Sequence, residues 1–305
     1  MTVAIAILPI AFAFLAGWTA KVTGILKPEH WAGIELLSFR ILIPAILIHS
    51  IANADLSSDR IGPLAGALVC MVLIAGLLGL SVRLILPVEK LSASSLSTMF
   101  QTTTRWNAFI SLSAAELLGG PDVLLLIAVG MSVLIPLINV GNILVLAWLC
   151  GQATGPRRVL KTVVTNPLVI GCAIGLSINV APFDLPTPIS ETLDIIGRAA
   201  LGIGLLVVGA GISWQRLRRV TAPVIVGALL RPFCIPLVFL GLASLFGLSA
   251  IETLAGILVA AVPAASNGYV VARTMGGDTE LYADILVFQT LFSIAAIPIY
   301  ASFVT

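Results

Sequence analysis

Apolar stretches long enough to cross a lipid bilayer recur along this sequence with little between them. A spanning helix needs about 20 such residues, and the stretches fall at 2–19, 32–52, 61–86, 92–118, 122–149, 162–181, 190–212, 222–246, 251–275 and 282–303. They leave short connections and no room for a water-soluble domain. The chain has 305 residues, 59% of them hydrophobic and only 10% charged, where a soluble domain carries about 25% charged residues. That is too little polar surface to coat a globule in water. A soluble enzyme, a nucleic-acid binder and a disordered chain are thereby excluded. The expected fold is an all-α multi-pass membrane protein with ten transmembrane helices.

The basic residues set an orientation, because short cytoplasmic loops collect Lys and Arg. Lys21, Lys27, Arg83, Lys90, Arg157, Arg158, Lys161, Arg216, Arg218, Arg219 and Arg273 all fall on one side, against Arg60 on the other. Both termini are therefore expected outside the cytoplasm, in the inner membrane. Residues 1–19 carry no positive charge and do not read as a cleavable signal. Cys70, Cys150, Cys172 and Cys234 lie in or beside apolar runs without metal-ligand spacing, and read as small hydrophobes. No GxxxxGK[ST] loop is present, which excludes an ATP-driven pump.

The fourth and ninth stretches are the least regular. One contains Asn107-Ala-Phe109 and the other Asn267-Gly-Tyr269, and each runs on to a Gly-Gly exit, at Gly119 and at Gly276. Two similar elements, each fourth in a set of five, imply a duplication of 1–150 as 151–305. Five is odd, so the second copy enters from the opposite face, as an inverted repeat. Transporters with this symmetry bind substrate near the midplane at discontinuous helices. Pro263 lacks an N–H and breaks the ninth helix, and Ser266 and Asn267 suit the cap of a restarting one. The fourth stretch has no proline. There Thr102–Thr104, Arg105 and Asn107 are expected to hydrogen-bond the freed backbone groups. Two restarted half-helices would aim positively polarised N-termini into one cavity, which suits an anion.

The Asn107 stretch and Pro263-Ala-Ala-Ser-Asn-Gly-Tyr-Val-Val-Ala-Arg-Thr-Met-Gly-Gly-Asp278 resemble the crossover regions of the auxin efflux carrier family, in its bacterial branch related to plant PIN carriers and distantly to bile-acid:sodium symporters. The resemblance implies a scaffold from 1–52 and 162–212 and a mobile transport domain from 61–149 and 222–305. It also implies elevator-type alternating access, a homodimer, and carboxylate or auxin-like substrates bound where helices 4 and 9 cross. By position, Asn107 and Asn267 are the crossover asparagines and Pro263 the crossover proline. Thr-Arg stands where a proline often precedes Asn107. Thr104, Arg105 and Ser266 complete the expected substrate site.

A charge at the centre of a spanning helix costs about 2.5–3.5 kcal/mol, so each needs a partner or a task. Arg105 has no acid within a helical turn and suits a substrate carboxylate. Asp194 and Arg198, four apart, are placed to neutralise each other. Arg231, just before Pro232, is placed to bond freed carbonyls, while Glu116 and Glu252 are expected in water. Asp284, Asp194 and Gln289 are the candidates for coupling to Na⁺ or H⁺. No metal or other cofactor is expected. The alternative function is a cation/proton antiporter of the same broken-helix architecture, which needs midplane acids; none occurs in 92–115 or 253–277.

Overall fold

The computed structural model describes residues 3–53, 61–151, 155, 157, 160–161, 164–181 and 185–304. Arg60 and Arg158, used above for orientation, lie outside the described residues. Among these residues the fold is helical, without strands. The chain opens with α1 (Val3–Val22), followed by α2 (Pro28–Leu37) and α3 (Ile43–Ala52), which a π-type turn at Ser38–Leu42 joins into one rod. Next come α4 (Ile61–Ile85), α5 (Ala93–Thr104), α6 (Ala108–Leu118) and α7 (Gly120–Cys150). The later part holds α8 (Pro167–Asn179), α9 (Thr187–Gly211), and α10 (Ala222–Leu229) joined to α11 (Ile235–Leu245) by a π-type turn at Leu230–Cys234. It closes with α12 (Ala250–Ala260), α13 (Asn267–Met275) and α14 (Thr279–Ala301).

Among the described residues six helices are long and apolar enough to cross a membrane: Glu29–Ala52, Gly62–Ile85, Gly120–Cys150, Thr187–Gly211, Ala222–Leu245 and Thr279–Ala301. Leu8–Val22, Pro167–Asn179 and Ala250–Ala260 are shorter apolar helices. The surface is inverted relative to a soluble protein. Leu84, Ile85, Trp148 and Leu245 point outward, while Thr98, Gln101, Thr102, Ser111, Asn142 and Gln289 are fully buried. Such an arrangement is favourable where the surroundings are hydrocarbon and backbone and side-chain polar groups must find partners inside.

Glycines set how closely the helices approach. A Cβ on Gly17 would lie 2.0 Å from the Leu206 carbonyl oxygen, and one on Gly209 2.1 Å from that of Phe14. The backbones of α1 and α9 therefore touch in both directions. α9 also packs on α3, and α3 on α8. On the other side, α4 and α7 pack against α5, and α10 against α14.

Both irregular stretches are interrupted. Residues 105–107 separate α5 from α6, with Arg105 and Asn107 extended (ψ 151° and 104°). Residues 261–266 separate α12 from α13. Glu252, expected in water, is buried and completes a capping box with Ser249 at the start of α12.

Candidate functional site

The two interruptions meet. The Asn107 N–H donates to the Pro263 carbonyl at 2.8 Å, tying one break directly to the other. Asn107 also caps α6, its Oδ1 accepting from the Ile110 N–H at 3.2 Å. The threonines do not do what the sequence suggested. Thr102, Thr103 and Thr104 donate to the carbonyls of Thr98, Met99 and Phe100, inside α5.

The freed groups are satisfied from distant helices instead. Arg231, turned inward by the π-type turn, donates from Nη1 to Thr103 O (2.6 Å), from Nη2 to Val259 O (2.8 Å) and from Nε to Val262 O (3.0 Å). One guanidinium thus serves the C-terminal ends of both α5 and α12, where the helix dipoles are negative. The freed carbonyls expected as its partners belong to other helices. Gln289 stitches the same region: its Nε2 donates to Thr102 O (3.1 Å) and Gly227 O (2.8 Å), and its Oε1 accepts from the Ala264 N–H (2.8 Å). The Ser293 hydroxyl donates to the Ala261 carbonyl at 2.8 Å.

Arg105 is different. It is 4% exposed, its Nη1 reaches Asn139 Oδ1 only at 3.4 Å, and its Nε has no partner. Among the described residues no ion pair engages it. Its stem passes Gly268, where a Cβ would lie 2.8 Å from Arg105 Cδ and 2.0 Å from Tyr282 Oη. Glycine alone leaves room there. Tyr282 in turn donates to the Ala265 carbonyl at 2.6 Å, holding the second break in place.

A cavity of about 50 Å³ opens at Arg105, lined also by Trp106, Asn139, Asn166, Ala265 and Asn267. Trp106, Ala108, Leu168, Ala265 and Asn267 also line a larger one, of about 500 Å³, so the two adjoin. The larger is walled by apolar side chains including Leu36, Phe39, Phe109, Val270 and Leu286, with Asn107, Ser266 and Glu35 as polar members. Asn267 Oδ1 is buried without a partner, and Ser266 donates its hydroxyl to Glu35 Oε1 and makes no cap bond to α13. An acid therefore does reach the crossing, from α2, outside the two crossover stretches.

The structure brings Arg105, Asn107, Ser266 and Asn267 together around these cavities. Pro263 is buried behind them, contributing its carbonyl. Thr104 faces elsewhere, lining an apolar cavity between α4, α5 and α7 and accepting from Asn142 Nδ2 at 3.2 Å. Of the coupling candidates, Gln289 has both amide atoms engaged as described. Asp284, 6% exposed on α14, accepts from Arg216 at 2.8 Å. Asp194 accepts from Arg198 Nε at 2.8 Å through both oxygens and lies 3.8 Å from His49 Nε2. Arg198 also approaches Glu116 at 3.5 Å, and these groups line a third cavity of about 260 Å³. Among the described residues no cluster of His, Cys, Asp and Glu fits a metal ion, and the four cysteines are free thiols.

The family model described as membrane transport protein matches residues 2–151 and 156–301 of the chain. No curated protein matches it.

Proposed function

The chain belongs to this membrane transport protein family, the auxin efflux carrier family that its sequence resembles, and we propose that it is a secondary transporter of small organic anions. It is a multi-pass membrane protein. The observation that carries the anion reading is Arg105, a buried guanidinium without an ion pair among the described residues, where two interrupted helices cross. Burying an ion without a partner costs several kcal/mol, and a substrate carboxylate would supply the missing charge. A planar guanidinium suits a carboxylate, which it can bind through two N–H donors. Asn267, with an unpartnered oxygen beside it, and the first turns of α6 and α13 add polar groups to the same place. The adjoining apolar cavity has the size and lining of a site for an organic body.

Transport then proceeds by an elevator motion. Residues 1–52 and 162–212 form the scaffold, and 61–149 and 222–305 carry the substrate, each drawing one part from either half, 1–150 and 151–305, of a ten-helix inverted repeat. The close backbone packing of α1 on α9, and of α9 on α3, supports a stiff scaffold. The assembly is a homodimer in the inner membrane with both termini outside the cytoplasm, supported by the family and by the placement of Lys and Arg. Coupling to H⁺ or Na⁺ falls to Asp194, which is paired with Arg198 but lines an open cavity beside His49, while Asp284 is buried against Arg216.

Glu35 is the one observation that favours cation/proton antiport. Against it, a cation entering this crossing would meet Arg105 uncompensated, so anion transport is the stronger reading.

Uptake of radiolabelled monocarboxylates into proteoliposomes tests it. Asn107→Ala and Asn267→Ala are expected to abolish uptake. Arg105→Ala should weaken binding of a carboxylate by about 10- to 100-fold, the worth of a charged hydrogen-bonded pair, and leave binding of its methyl ester little changed. Equal loss for acid and ester would assign Arg105 a structural role and end the anion reading.

A further inference from the structure

Among the described residues lining the larger cavity, the single charged side chain is an acid, Glu35. We propose that Glu35 makes the site selective for monocarboxylates, rejecting dicarboxylates and favouring a hydrogen-bond donor at the far end of the substrate; this rests on the anion reading above.

The geometry separates the two ends of the site by charge. Arg105 lines the small cavity and Glu35 the large one, and neither lines both. A substrate with its carboxylate at Arg105 extends past Trp106 and Asn267, which face both cavities, into the apolar space beyond. Its distal end then comes to rest among Leu36, Phe39 and Tyr269, on the wall that Glu35 shares. Glu35 is half-buried and held against the crossing by the Ser266 hydroxyl. One such bond leaves most of the acceptor capacity of a carboxylate unused.

A second carboxylate at the distal end would face this like charge across a partly desolvated space, where repulsion is far stronger than in water. An amine or hydroxyl there instead finds an acceptor. Rejection by placement of an opposing charge is a common source of specificity, separate from whatever holds the preferred ligand.

The test is equilibrium binding to the full-length protein in lipid nanodiscs, using 3-phenylpropionate, its para-carboxy derivative and its para-aminomethyl derivative. The wild type should bind the monoacid at least about tenfold more tightly than the diacid, with the aminomethyl acid tightest. In Glu35→Gln the monoacid-to-diacid ratio should fall to about twofold or less, and the aminomethyl advantage should disappear. Glu35→Ala gives the same reading should the glutamine variant fail to fold, and Glu35→Asp should retain the preference. A ratio that stays put in both neutral variants, with binding still dependent on Arg105, overturns the role of Glu35 and leaves the anion reading standing. If none of the three acids binds the wild type, or Arg105→Ala binds them equally well, the anion reading falls and this inference with it.

Discussion

Arg231 and Arg105 are both buried cations at one crossing, and their surroundings assign them opposite work. Arg231 spends its donors on three backbone carbonyls that the helix breaks leave open. Truncation to alanine would strand those carbonyls in a dry interior, at about 1–3 kcal/mol each. Arg231→Ala is therefore expected to lower the melting temperature of the purified protein by many degrees, measured by thiol-reactive dye or tryptophan fluorescence. Arg231→Lys should recover only part of the loss, because an ammonium cannot match a planar fork bonded at three points. Arg105→Ala should melt close to the wild type, since the residue it replaces has one long hydrogen bond and an idle Nε. The sequence distinguished the two only in part. Pro232 beside Arg231 pointed to backbone carbonyls as its partners, and the lack of a nearby acid pointed Arg105 to a ligand. Nothing local revealed that the carbonyls belong to α5 and α12, which lie 28 to 128 residues away in the chain.

At the level of helices, the breaks were legible because their causes are short-range. Pro263 removes an N–H, and Asn107 is a natural cap followed by an apolar run, so both interruptions can be located within a few residues. The repair of those breaks was not legible. Gln289 and Glu35 reach the crossing across separations of 25 to 231 residues, and no periodicity within a single helix encodes such contacts. The threonine run misled for a physical reason: a hydroxyl in a helix finds its own i−4 carbonyl sooner than a group beyond the helix end. Packing between α1 and α9 depends on absent side chains. Gly209→Leu must push Phe14 and its backbone aside, an overpacking cost of about 1–3 kcal/mol or more, and should reduce both melting temperature and folded yield. Gly33→Ala, with open space around it, is the control expected to behave as wild type in the same melts.

For the molecule as a whole, the contact between α6 and α9 decides whether one group of helices slides on the other. A Cβ on Gly204 would lie 2.7 Å from Phe109 Cβ, closer than the roughly 3.5–4.5 Å that a disulfide spans. Gly204→Cys with Phe109→Cys, which removes the ring, brings two thiols into bonding reach across that seam once the helices part by about 1 Å. Oxidation of the double variant is expected to crosslink it and stop uptake, and reduction to restore it; the single variants, oxidised alike, provide the baseline. Uptake undiminished in the fully crosslinked protein would mean that this seam never moves. Arg198 spans the same seam from α9 toward Glu116 on α6, a weak exposed pair by itself and one that such sliding would have to part. The three hydrogen bonds from Arg231 have the contrary effect. Under the proposed elevator motion, two helix stumps riveted to one guanidinium travel as a sealed cartridge, and the Arg105 end of the site travels with them, while Glu35 stays on the scaffold helix α2. Preference for the carboxylate end should then be the same in export and import, whereas the distal-end preference set by Glu35 should show only at the face where the crossing meets α2.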